Sequence, residues 1–225
     1  MSEMRRGSAA SRFALIITYV VNPLIMPPLL MWLVLDGLQA RAAETTILVS
    51  AAFVMLSVAP ALYLIWMVRS GRSASLNLEN RRHRTTALMI AVAAALMLLS
   101  MAYFVLSTGR DLVVAILIAY VLGTLLLILI NQNWRISLHT ASAAGFLSVV
   151  FYLRGTAAAA GLSFELSPWI FGVAAIAIVA AVGWARLHLR AHSRGQVVVG
   201  AAVGFVVPYL LLMLINTILP LSHTT

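Results

Sequence analysis

The sequence predicts an all-α, polytopic transmembrane bundle of about seven spans, with six as the nearest alternative. Three observations carry that expectation. Hydrophobic residues make up 63% of the 225 residues and charged residues 9%, too little polar surface for a water-facing domain. Mean hydropathy is +1.03. Apolar stretches near the roughly 20 residues needed to cross the hydrocarbon core recur at 13–35, 46–68, 86–107, 112–131, 137–153, 168–185 and 197–219.

The first stretch follows a short basic N-terminus, Met1 to Arg12. It is longer than the roughly 7–15 apolar residues of a signal peptide, so it reads as a retained span. Pro23, Pro27 and Pro28 fall inside it and are expected to kink or break the helix, which neighbouring helices tolerate. The next three stretches are long. The fifth and sixth are short, which is why six spans stay open. Between them, Gly155 to Ser167 is rich in Ala and Gly with one acid, Glu165. It fits a loop, a re-entrant piece or a helix extension. Small residues crowd the last three spans, at Ala141, Ala143, Ala144 and Gly145, from Ala174 to Gly183, and from Gly200 to Gly204. They suit close helix approach in lipid. No internal repeat stands out, so 1–225 reads as one integral-membrane domain.

Composition also excludes chemistry. There are no cysteines, hence no disulfides and no thiolate nucleophile or ligand. All 15 basic residues are arginine, which rules out lysine-dependent mechanisms. The net charge of +9 does not point to nucleic acid, because the arginines flank apolar spans instead of forming one soluble basic face. No obligate protein partner is indicated. Seven crossings place twelve arginines on the N-terminal side and three (Arg41, Arg110 and Arg154) on the other. By the positive-inside rule the N-terminus is cytoplasmic and the chain is a multi-pass protein of the cell membrane.

Three polar stretches lie on that N-terminal side, at 77–86, 134–139 and 186–196. Arginine and histidine are costly beside membrane spans, and their accumulation there suggests an anionic group. Arg81 and Arg84 are three apart, on one face if helical. Ser137 and His139 open the fifth span. Arg186, His192 and Gln196 follow the pattern R-x5-H-x3-Q. Arginine forks clamp phosphoryl oxygens bidentately. A hydroxyl at Ser137 and the amides opening a helix add donors. His188 and His192 have the spacing of a metal pair, but packed arginines would repel a cation. His83 fits a solvated side chain or a phosphate contact. Arg135 beside Trp134 fits an interfacial anchor or a substrate contact. Arg82, Arg190 and Arg194 suit lipid headgroups.

These residues resemble the type 2 phosphatidic acid phosphatase superfamily, whose motifs are K-x6-R-P, P-S-G-H and S-R-x5-H-x3-D. Arg84 looks like the first-motif arginine, Ser137 and His139 like the second-motif serine and histidine, and Arg186 and His192 like the third-motif pair. Asn77, Thr85, Ile136, Leu138, Ala185 and Gln196 depart from the pattern. The resemblance implies an integral-membrane lipid phosphatase, a hydrolase that needs no metal or other cofactor. Its partner would be a membrane lipid, either an isoprenoid (prenyl) phosphate or pyrophosphate or a phosphatidic acid-type lipid. His192 would attack phosphorus to give a phospho-histidine, and His139 would protonate the leaving group. Arg84, Arg186 and Ser137 would hold the phosphate, with Arg81 standing in for the missing lysine. Gln196 would orient His192 in place of the aspartate, and Glu79 would supply charge or brace an arginine. The alternative is a catalytically degenerate relative that binds or transports an anionic lipid.

Overall fold

The computed structural model describes residues 8–72, 80–155, 167–219 and 221. They form eight helices and no strand. These are α1 (Ala9–Val20), α2 (Met26–Gly37), α3 (Ala42–Arg69), α4 (Arg81–Val105), α5 (Arg110–Asn133), α6 (Leu138–Gly155), α7 (Pro168–His188) and α8 (Arg194–Ile218). The chain is an all-α bundle. Five of its helices, α3, α4, α5, α7 and α8, are long and apolar enough to cross a membrane. Helix α6 is 18 residues long and less apolar.

Polar side chains cap several of the helix starts. Ser8, Asn80 and Ser167 cap α1, α4 and α7, each accepting a first-turn amide. Ser193 and Gln196 form a reciprocal capping box on α8. Gly109, at φ 68°, makes the left-handed turn from α4 into α5. At that turn Glu44, buried at the start of α3, accepts from Ser107 Oγ at 2.7 Å and from its amide at 3.3 Å.

The first apolar stretch is broken. Helix α1 ends at Val20 and α2 starts at Met26, with Pro27 and Pro28 in its first turn, where an amide hydrogen is not needed. Asn22 Oδ1 accepts the Leu24 amide at 2.9 Å, and Ser57 Oγ donates to the Leu24 carbonyl. Ser57 lies in a π-helical segment, Phe53–Val58, inside α3. It precedes Pro60, which cannot donate to Leu56 and so disturbs the ladder there. The irregular backbone of one helix is thus satisfied by an irregularity in its neighbour.

The main core joins α2 through α6, with Leu35, Leu48, Leu98, Val113 and Leu153 nearly free of solvent. Helix α8 packs mainly along α6, and α1 against α7, where Phe13 meets Trp184. The α6–α8 contact depends on glycine. A Cβ at Gly200 would lie 2.8 Å from the Ser137 carbonyl oxygen, and one at Gly204 would overlap the Ala141 backbone. This close crossing draws the starts of α6 and α8 together.

Candidate active site

All three polar stretches arrive at one end of the bundle. It is built from the start of α4, the α5–α6 connection, the start of α6, the end of α7 and the α7–α8 loop. Local geometry explains the third stretch. Helix α7 ends with Arg190 in the left-handed region (φ 51°), the Ala191 amide on the Arg186 carbonyl at 3.0 Å and the Arg190 amide on Leu187 at 2.9 Å. This is a Schellman turn. The capping box then starts α8 at once. Arg186 therefore stays on α7, His192 sits in the tight loop, and Gln196 stands one turn into α8.

His192 Nδ1 lies 3.1 Å from Gln196 Oε1, which also accepts the Ser193 amide at 3.1 Å. An amide oxygen only accepts, so Nδ1 carries the ring proton and Nε2 keeps its lone pair. The Gln196 carbonyl accepts the Ser137 amide at 3.0 Å, tying the second stretch to the third. Ser137 is fully buried and caps α6, its Oγ 3.4 Å from the Thr140 amide. Its own hydroxyl hydrogen is left to donate. The first-turn amides of α6 have no acceptor within the helix, which adds partial positive charge.

Arg84 and Arg186 are buried, with 4% and 5% of their surface exposed. One arm of Arg84 donates to the Ile136 carbonyl. Asn131, fully buried on α5, donates to Thr85 Oγ1 at 3.1 Å and pins the start of α4 beside the end of α5. Arg135 is the third guanidinium. It lies within electrostatic range of Arg84, Arg186 and His192. The Nε atoms of Arg84, Arg135 and Arg186 are all buried and without a hydrogen-bond partner. His139 lies in the field of Arg186, His192 and Arg84. Among the described residues the acids are Asp36, Glu44 and Asp111, all at the other end of the bundle.

The structure does not bring every expected residue in. Arg81 is exposed and donates to the Gln132 carbonyl at 2.9 Å, at the end of α5, so Arg135 and not Arg81 completes the arginine group. Glu79 and Asn77 lie outside the described residues. His188 turns away, stacking on Trp184 and pairing with Ser11 Oγ at 3.2 Å. The described residues hold no cluster of three potential metal ligands.

An apolar cavity of about 150 Å³ opens beneath the site. Leu88, one turn along α4 from Arg84, and Leu138, next to His139, line it together with Tyr120, Phe146 and Pro23 from the helix break. No family model, curated protein or solved structure matches the chain.

Burial, together with the positive charges of Arg186, Arg84 and Arg135, lowers the His192 pKa to about 4, against an opposing rise from the Gln196 hydrogen bond. The ring is therefore neutral at pH 7, and its charging opposes the folded state. The associated stability is present above the ordinary value of 6.5 and is lost as pH falls towards 4. NMR of ring-labelled protein should find His192 neutral, with the proton on Nδ1, down to about pH 5. Gln196→Glu should move the titration upward. A wild-type midpoint at the ordinary value, or no movement in the variant, would refute this arrangement.

Proposed function

We propose that the chain is an integral-membrane lipid phosphatase, and that it is a divergent member of the type 2 phosphatidic acid phosphatase superfamily. One observation carries the reading. Three guanidiniums with unpartnered buried Nε atoms converge beside two histidines, with no described acid near them. Buried uncompensated charge is unfavourable unless a ligand supplies the opposite sign. A phosphoryl group does so and matches the arginine fork.

In this scheme His192 Nε2 attacks phosphorus in line with the leaving oxygen. The P–O bond to the lipid or to a terminal phosphate breaks as the N–P bond forms. His139 gives the leaving oxygen a proton, then takes one from the water that hydrolyses the phospho-histidine. Arg84 and Arg186 stabilise the equatorial oxygens, with donation from Ser137. The apolar cavity takes the start of the lipid tail. The arginine excess on this side supports a cytoplasmic site and an N-terminus inside the cell.

Gln196 favours a second reading, a degenerate relative that binds or moves an anionic lipid, because an amide orients the imidazole without stabilising its charge. Phosphate release from a panel of prenyl and glycerolipid phosphates separates the two. Purified protein should release phosphate from at least one lipid, with or without chelator, and an alkaline quench should retain acid-labile protein phosphate. Binding without release from any lipid would favour the second reading and overturn the first.

A further inference from the structure

We propose that Arg135 sets the headgroup class, making the site select a lipid diphosphate over a lipid monophosphate. The inference rests on the reading of this site as a phosphate site, though not on its being catalytic.

The argument is one of charge and of free donors. Arg84 has one arm committed to Ile136, and Arg81 is engaged at Gln132. Arg135 sits in the non-helical connection between α5 and α6, where its backbone is not held in a helical ladder. Its Nε is nevertheless buried and unpartnered beside the other two. The group therefore holds three positive charges, and Gln196 subtracts none where a carboxylate would. A phosphate monoester carries about −1.5 to −2 at pH 7. A diphosphate monoester adds a second strongly acidic phosphate and reaches about −3, since only its last proton titrates near pH 6. Only the diphosphate offsets all three guanidiniums. The apolar cavity lined by Leu88 and Leu138, one turn from Arg84 and next to His139, offers room for an apolar chain beside the headgroup.

The test uses the purified full chain with farnesyl diphosphate, farnesyl phosphate, inorganic pyrophosphate and orthophosphate. Wild type should prefer farnesyl diphosphate to farnesyl phosphate in kcat/KM by about tenfold or more. Arg135→Gln should lose at least about tenfold on the diphosphate and under about threefold on the monophosphate, and Arg135→Lys should keep part of the preference. The exposed Arg69→Gln serves as a charge control. Equal losses on both substrates, or a preference that survives Arg135→Gln, would overturn the proposal. Farnesyl diphosphate should far outrun inorganic pyrophosphate. Equal rates would make the ligand a free diphosphate and overturn the lipid assignment. Thermal melts supply a readout without turnover: pyrophosphate should raise the wild-type melting temperature more than orthophosphate, and Arg135→Gln should lose that difference. Loss of the difference with no release from any lipid would sink the phosphatase reading and keep this one. Release with no diphosphate preference would do the reverse.

Discussion

His192→Ala is expected to abolish phosphate release, by on the order of 10⁴-fold or more, with little change in melting temperature. The ring is half-buried in a loop that is already fixed by a Schellman turn and a capping box, so its removal leaves the backbone supported. What is lost is a nitrogen whose lone pair is freed by an orienting acceptor, Gln196. His139→Ala should cost about 10²–10⁴-fold, the usual range for a general acid. The two losses differ in kind. An aryl phosphate leaves without needing a proton, so it should restore the first step of His139→Ala, seen as a burst of released phenol, and nothing in His192→Ala. Protein-bound phosphate should accumulate in the former and be absent from the latter. Activity of His192→Ala within about tenfold of wild type would remove it as nucleophile.

Local features of this site could be read from the sequence, and features set by where distant helices end could not. The R-x5-H-x3-Q pattern is a helix end, a tight loop and a helix start, so chain spacing alone groups Arg186, His192 and Gln196. The meeting of the three polar stretches follows from the order of the apolar segments. Arg81 shows the limit. Its spacing from Arg84 fits one helical face, but α5 ends beside it and offers the Gln132 carbonyl. Along the sequence Arg135 fits an anchor and a substrate contact equally, because nothing along the chain tells which way a non-helical residue faces. Its place directly before Ile136 and Ser137 was the available signal. The His188–His192 pairing fails because α7 stops at His188 and Arg190 turns left-handed, so i,i+4 geometry never forms. Prolines marked the first span for a kink, but the full break depends on Ser57 reaching Leu24 from another helix.

Gly204→Leu should prevent the bundle from assembling, and even Gly204→Ala should cost about 1–3 kcal/mol. A Cβ there would sit 2.7 Å from both Cα and C of Ala141, which are backbone atoms that no rotamer change can move aside. Helix association in lipid depends on close packing, without the drive that water gives to apolar contact. The loss is therefore not made up elsewhere along α6 and α8. It also reaches the chemistry. The same crossing holds the Ser137 amide on the Gln196 carbonyl, and places Thr140 Oγ1 3.3 Å from the Val197 carbonyl. Separating the helices moves His139 away from His192, so turnover should fall further than stability alone requires. Gly172→Ala is the control, since a Cβ there meets nothing within 4 Å. Thermal melts in detergent should show a clear drop for Gly204→Ala and none for Gly172→Ala. Equal melting of the two would mean that the α6–α8 crossing does not hold the two histidines in register, and the site would need another scaffold.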